Sequence, residues 1–455
     1  MMKLVAICTS AVLSVIIPLS NAVAINLGNL KGETRTEYFS PYGVRELCVV
    51  PKKWPGAAYR SDDTSKESTL CGYDFYRTVG ICPKYNSTNP GVLLLAPNAS
   101  YSKEAIDASD CNLKKMSVKT EAKFKQTITC SYTPSILAYY HMSRILGGVG
   151  RVPVSVIRTM DLKVHSQLTN KAVHALRDST DTIAQAWRKL GEMHLNPRAF
   201  PQLVDTTFTQ LYGGLSDNVK NENVYNDVSG RGTYNSRYQR FLKQKPFLKV
   251  ASTKTVAQLV GSGEFTRVAQ DVIQMKDVAD MVLIDTLMNQ QDRIGNIHYK
   301  FYWYSINPST NRIERSKSDA ELVDGKIVIP AEEKRQMAGR TAVVLKEMIL
   351  KDNDCGVIKD NMMRAYSVLE KVRHMSYLTY RYFMAFEKSL AAPATKDYFK
   401  TELLFTDKDY RSLQDNASKA KEILTGTCRT GQLKFDLDLE NYLPGARPPL
   451  TPCSN

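Results

Sequence analysis

The chain has 455 residues, 43% apolar and 24% charged, with 61 Lys and Arg against 46 Asp and Glu and a formal net charge of +15. That balance excludes a disordered chain, and the length leaves room for two lobes, each with its own core. The basic surplus favours anionic partners such as nucleotides, phosphates, acidic proteins or anionic lipid. No nucleic acid is expected, because the basic residues are scattered and no nucleic-acid motif accompanies them.

The chain opens like a secretory signal. Lys3 supplies the positive start, "LVAICTSAVLSVIIPL" the apolar stretch, and Ala22-Val23-Ala24 the small-x-small end. Residues 1–24 are therefore read as a signal peptide cleaved after Ala24. No later run of about 18 apolar residues follows, so the processed chain is expected to be secreted or periplasmic and not transmembrane. It keeps Cys48, Cys71, Cys82, Cys111, Cys130, Cys355, Cys428 and Cys453. Outside the cytosol an even count predicts disulfides, and no Cys-x-x-Cys or His cluster suits zinc. Five of the eight precede residue 131. Full pairing thus requires at least one of the five to bond across to the carboxy-terminal part; otherwise Cys355 is free. Asn86, Asn98 and Asn416 each open a glycosylation sequon, used only in a eukaryotic host.

Residues 25–110, rich in Tyr, Gly, Pro, Ser and Cys, predict short strands and loops, with "GVLLLA" (91–96) the clearest strand. In 114–127 the pattern alternates. Val118, Thr120, Ala122 and Phe124 share one face, and Lys119, Glu121, Lys123 and Lys125 the other, which predicts a strand. Thr133-Pro134 opens a helix that Gly147-Gly148 ends. Residues 151–161 read as a strand and 165–195 as amphipathic helix. The polar, Gly- and Asn-rich 214–240 predicts a long loop. "DVADMVLIDTLM" (277–288) is a helix too apolar to be anything but buried, and "IHYKFYWY" after it is a strand. "TAVVLKEMIL" (341–350) is another strand, running into "KDNDCG". Residues 362–390 read as helical.

Between the buried helix and its following strand lies "NQQDRIGN". Phosphoryl transfer needs a cation on the phosphates, a carboxylate at the attacking hydroxyl and oxygen ligands for a divalent metal. Asp292 is a carboxylate held at the end of a rigid helix, suited to accept a hydroxyl proton. Asn296 supplies a neutral oxygen for a metal shell, and Asp352 and Asp354 end a strand in a turn closed by Gly356, a place suited to hard-metal ligands. Asp352 is preferred over Asp354 because it directly ends the strand. Lys125, on the polar face of its strand, is the phosphate cation, with Lys123 and Glu121 beside it in the nucleotide site. Asp285, inside the apolar helix, is expected to cap backbone amides of the loop, since a buried carboxylate needs donors. His298 is expected to be a packed strand histidine.

Three segments, "SILAYYHMSRILGGVGRVPVSVIRTMD", "LIDTLMNQQDRIGN" and "LKDNDCG", resemble the secretory-pathway kinases related to the Golgi casein kinase. They also resemble the wider atypical group of bacterial spore-coat kinases and type II phosphatidylinositol 4-kinases. The resemblance covers residues 115–160 and 275–360. It implies an α+β, bilobal protein-kinase-like fold, with a strand-rich N-lobe over 25–160 and a mainly helical C-lobe over 161–455 that carries an insertion near 165–250. It also implies ATP and Mg²⁺ or Mn²⁺ as cofactors, Asp292 as catalytic carboxylate, Asp352 as metal ligand and Lys125 on the phosphates. The acceptor would be a protein hydroxyl, or else a lipid or a sugar. One departure stands out. Members of the group carry an acid just before the "A-F-H" part of their helix; here the place holds Ile136, and Glu121 is the available substitute. A pseudokinase, an extracellular binding module, or a nucleotidyl transferase that moves AMP are the rival readings.

Overall fold

The computed structural model describes residues 24–232 and 236–446. The signal segment up to Val23 and the tail with Cys453 lie outside those residues. The class is α+β, with a strand-rich amino-terminal lobe and a mainly helical carboxy-terminal lobe.

The first lobe is built on one antiparallel sheet ordered β1-β2-β6-β7-β5-β4-β3. Its strands are β1 (Thr34–Phe39), β2 (Arg45–Val50), β3 (Gly80–Pro83), β4 (Val92–Ala96), β5 (Lys119–Gln126), β6 (Ser155–Asp161) and β7 (Gln210–Asp217). β7 lies beyond the lobe boundary expected at 160, yet it is inserted between β6 and β5. The amino-terminal sheet therefore draws on residues through 217. The misplacement has a simple cause: β7 begins outside the polar stretch 214–240, and the "GG" within it hides a strand. The rest of that stretch is short structure and not a bare loop, with a two-residue strand β8 (Asn223–Val224) and helices Asn226–Ser229 and Arg237–Phe241. β5 is an interior strand, so its lysines are not on an exposed edge.

Helix α1 (Asp63–Gly72) and helix α2 (Thr133–Ile145) pack on this sheet. Every residue of α2 is buried, so each of its polar side chains needs a partner. Arg144 donates to both carboxylate oxygens of Asp63 at 2.8 and 2.9 Å, and Tyr140 donates to Glu67 at 2.6 Å. Gly147 and Gly148 follow with φ near +89° and +90°, the conformation that ends the helix. The segment 165–195 forms two helices, α3 (Leu162–Ala175) and α4 (Thr182–Leu195).

In the second lobe the long helix α5 (Phe265–Leu287) is buried along nearly its whole second half. It packs against a sheet ordered β10-β9-β13, with β8 also on β9. β9 is Ile297–Asn307, β10 Arg312–Lys317 and β13 Ala342–Leu350; a small hairpin of β11 (Glu321–Val323) and β12 (Lys326–Val328) lies between. Only part of 362–390 is helical, chiefly α6 (Tyr377–Ser389), which packs on α7 (Asp407–Arg429). Asn416 on α7 is buried and donates to Leu287 O and Asn289 Oδ1, so in the folded chain it is not a glycan site. No helix among the described residues is long and apolar enough to cross a membrane.

Three disulfides join Cys48–Cys71, Cys82–Cys111 and Cys130–Cys355, and Cys428 is disulfide-bonded as well. The cross-bond required by the odd count of amino-terminal cysteines is thus Cys130–Cys355, which ties the start of α2 to the acidic turn. Peptide mapping of the non-reduced protein should recover a Cys130–Cys355 cross-linked pair. Free thiols at both positions would mean that α2 and the acidic turn are not covalently tied.

Asp277 of α5 accepts a 2.8 Å bond from Met348 N on β13. Burial pushes its carboxyl up to about 7, outweighing that bond and the charge of Lys276. The unfolded value is roughly 3.9. With the folded pKa the higher one, Asp277's contribution is complete below the unfolded value and is lost as pH rises through the folded one. Denaturant titrations should show stability falling from about pH 4 to about pH 8. Asp277→Asn, which keeps an acceptor oxygen, should flatten that slope; an equally steep slope in the variant would place its origin elsewhere.

Candidate active site

β13 runs out of the second lobe into "KDNDCG", and this turn meets β5 of the first. Lys125 Nζ donates to Asp354 Oδ2 at 2.9 Å and to Asp352 Oδ1 at 3.3 Å. Asp354 is buried, whereas the Asp352 side chain is about 31% exposed and turned to the cleft. Asp352 has φ +48°, a strained value for a non-glycine residue, and it turns the chain sharply at the strand end. Enclosure would raise the Asp352 carboxyl. The ammonium groups of Lys125, Lys84, Lys123 and Lys351 outweigh it and hold that carboxyl well below the usual range. Burial works against the charge on Lys125 too, but the two carboxylates prevail and keep it protonated.

These groups stand at a cleft. It is lined by Lys123 and Lys125 of β5, Ile136 of α2, Val152-Pro153, Ser216 through Val219 at the end of β7, and Lys351 through Asp354. The lining combines apolar Ile136, Val152, Pro153 and Val219 with charged Lys123, Lys125, Asp217, Lys351, Asp352 and Asp354. Lys351 is paired with Glu222. Lys123 makes no ion pair among the described residues, and burial and Lys351 lower its pKa. Lys84, in the turn between β3 and β4, also makes none; burial and then the charge of Lys125 bring it down to about 8.

Asp292 and Asn296 lie in the loop between α5 and β9 and are not among the cleft-lining residues. Asn296 Nδ2 donates to the Asp292 backbone carbonyl at 2.7 Å and to its Oδ2 at 3.2 Å, while Arg237 Nη1 reaches Oδ1 at 2.9 Å. Asp292 is about one-third exposed, with side-chain accessibility 33%. Burial raises its pKa against Arg237 and Asn296, and the charge of Asp354 adds to the rise. Glu121 is apart from this assembly. It pairs with Lys220 at 2.8 Å near the surface and does not reach Lys125. No acid of α2 replaces it, since the helix has none and Ile136 fills the place. His298, half-buried on β9 opposite Ile349, is a strand histidine.

Asp285 does not cap loop amides. It binds Arg293, at 2.8 and 3.1 Å, and accepts from Tyr139 of α2 at 2.7 Å. A guanidinium supplies two charged donors where backbone amides would supply neutral ones. The same Arg293 reaches Lys351 O at 2.8 Å and Asn353 Oδ1 at 2.6 Å. This buried residue therefore joins the α5–β9 loop, the acidic turn and α2. On the other side Asn89 donates to Asp354 Oδ2 at 3.1 Å and accepts from Thr129 Oγ1 at 2.6 Å. Asn89, Lys84 and Arg237 were missed in the sequence. Asn89 and Lys84 sit in the polar turn between β3 and β4 and Arg237 opens a short helix, and only long-range packing brings Asn89 to Asp354 and Arg237 to Asp292.

No family model matches the chain, and no curated protein matches it. Among solved structures, the Golgi casein kinase aligns twice. One, described as having Mn/ADP bound, is 13% identical with a TM-score of 0.41 and covers 80% of this chain and 76% of that one. The other is 13% identical with a TM-score of 0.43, over 82% and 80%.

Proposed function

We propose that the protein is an extracytoplasmic phosphotransferase that moves phosphate from ATP to a hydroxyl acceptor with the help of a divalent cation. The observation that carries this reading is the meeting of Lys125 with Asp352 and Asp354 at a cleft between the lobes. Among the described residues no group of three or more His, Cys, Asp or Glu could hold a metal alone. Mg²⁺ or Mn²⁺ in a kinase takes one or two carboxylates and completes its shell with phosphate oxygens and water. Asp352 and Asp354 would hold the cation, with Asn296 as a further oxygen donor. When bound it neutralises charge on the phosphates. Lys125 holds the phosphates from the β5 side, so binding them means sharing its donors with the two carboxylates. Asp292 orients the acceptor and takes its proton as the hydroxyl oxygen bonds to the γ-phosphorus and the bond to the ADP oxygen breaks. Disulfides at three mapped pairs support an oxidising compartment. A protein hydroxyl is the acceptor proposed first, ahead of lipid or sugar.

The test is transfer from γ-labelled ATP, with Mg²⁺ or Mn²⁺, to protein acceptors or to the chain itself. Label that disappears in Lys125→Met supports the reading, and no transfer to any acceptor class refutes it. A second reading is favoured by the acid-free α2 and by Lys125 being already engaged by both carboxylates: a module that binds nucleotide without turning it over. Calorimetric ATP binding with no transfer would select it, and a product heavier by AMP would select nucleotidyl transfer.

A further inference from the structure

A second charged assembly lies outside the cleft lining, where Glu347 of β13 meets Arg151 and Arg315. Arg151 comes shortly after α2, and Arg315 lies on β10. Gly150, at φ +64°, packs so closely on β13 that a Cβ there would stand 2.4 Å from Leu350 Cδ1, and this close approach puts Arg151 beside the strand. Each arginine gives its Nε to a different oxygen of Glu347: Arg151 to Oε1, and Arg315 to Oε2 at 2.6 Å. Tyr304 donates to Oε2 as well, at 2.9 Å. Both guanidiniums stand over the Tyr302 ring, 5.3 and 3.5 Å from its centroid. With Nε turned inward and a tyrosine ring beneath, both forks are held in place before any ligand arrives. Nη1 and Nη2 of Arg151 and Nη1 of Arg315 bond nothing among the described residues and are not buried, and the two side chains keep 23% and 25% of their surface exposed. The unused ends of the forks are therefore the ends open to solvent.

Arg60, just before α1, adds a third guanidinium. Asp63 gives both its oxygens to Arg144 and takes only the backbone N–H of Arg60. The Arg60 side chain has a 3.5 Å contact with Gly148 O and makes no ion pair among the described residues. Burial lowers its pKa, and the charges of Arg144, Arg151 and Arg315 lower it further against Asp63. Four guanidiniums thus face the two carboxylates of Asp63 and Glu347. Asp277, the other acid whose charge reaches Arg151, is bonded to Met348 N and already pushed up to about 7. Nη2 of Arg315 is buried with no partner among the described residues. Like charges held together out of bulk water repel, and a nearby anion relieves them. We infer that Arg60, Arg151 and Arg315 form a binding site for a phosphate-type dianion, separate from the nucleotide cleft. Guanidinium forks match the oxygens of a tetrahedral oxyanion in pairs. Arg60 and Arg151 belong to the first lobe and Arg315 to the second, so an anion held by all three ties the lobes together. Free inorganic phosphate and a phosphorylated side chain share this chemistry.

The experiment uses the intact chain with inorganic phosphate and O-phosphoserine as probes, and chloride at matched ionic strength as the control. Arg60→Gln orphans no acid, so it is the variant expected to fold best. By calorimetry it should weaken the preferred probe by about tenfold or more, the scale of a lost charge-assisted hydrogen bond. Arg60→Lys should restore only part of the loss, because an ammonium lacks the fork. Arginine labelling of the wild-type chain with phenylglyoxal, followed by peptide mapping, is independent of any variant and of anion bound in the cleft. Arg60, Arg151 and Arg315 should be protected by the probe while Arg77, 85% exposed, is not. Protection by inorganic phosphate alone upholds the site and names the free anion; stronger protection by O-phosphoserine upholds it and names a phosphorylated side chain. Unchanged affinity in Arg60→Gln, equal labelling with and without the probes, or protection that chloride matches overturns the inference. Neither probe carries a nucleotide, so a chain that fails this test can still transfer phosphate, and one that transfers none can still hold the anion.

Discussion

Asp292→Asn should lower phosphate transfer by on the order of a hundredfold or more, the usual scale for a positioned acid–base group, while nucleotide affinity stays near that of wild type. The geometry predicts the separation. Asp292 is held by Asn296 and Arg237 outside the residues that line the cleft, so its loss should not disturb bound phosphates. The amide keeps the shape of the carboxylate and cannot take a proton. Asp354→Asn should behave in the opposite way. It removes the buried charge opposite Lys125, so metal-dependent nucleotide binding itself should weaken. Calorimetry paired with labelled-phosphate transfer separates the two. An Asp292→Asn variant that transfers as fast as wild type would make "NQQDRIGN" a structural turn.

Arg293→Met should cost about 3–5 kcal/mol of stability, the range for breaking a buried ion pair by removing one partner. The side chain is fully buried, and its removal leaves the Asp285 carboxylate with Tyr139 as its remaining named donor. It also releases Lys351 O and Asn353 Oδ1, so the acidic turn loses two of its bonds to the α5–β9 loop and keeps the one from Gln291 N to Cys355 O. Denaturant unfolding should show an earlier midpoint, and the variant that still folds should bind nucleotide more weakly. Pairing it with Asp285→Asn should recover part of the stability, because the orphaned charge is then gone. A single variant within about 1 kcal/mol of wild type would mean that the pair is only a surface-grade contact, whose typical worth is that small.

The strongest elements were legible because their patterns are local. Alternation in β5, the apolar run of α5, the leucine run of β4 and the β-branched and aromatic runs of β9 and β13 are each set by which side chains must leave water. The residue types at Lys125, Asp292, Asp352 and Asp354 could be picked out by their settings, at a strand face, after a buried helix and at a strand end. What the sequence could not determine is who meets whom. β7 enters the first sheet from beyond residue 160, because pairing depends on sheet order and not on chain order. Asp285 takes Arg293 in place of backbone amides, and Glu121 takes Lys220 and leaves Lys125 to the acidic turn. A buried or half-buried charge is satisfied by whichever opposite charge folding brings within about 4 Å, and for most of these pairs that partner lies tens to hundreds of residues away. The preference between Asp352 and Asp354 was of the same kind: burial makes Asp354 the anchor of Lys125 and leaves Asp352 open to the cleft. The sequence by itself determined which groups could do chemistry, through local polarity and periodicity. Only the tertiary structure decided which of them stand together, since that is set by packing and by charge satisfaction across the whole chain.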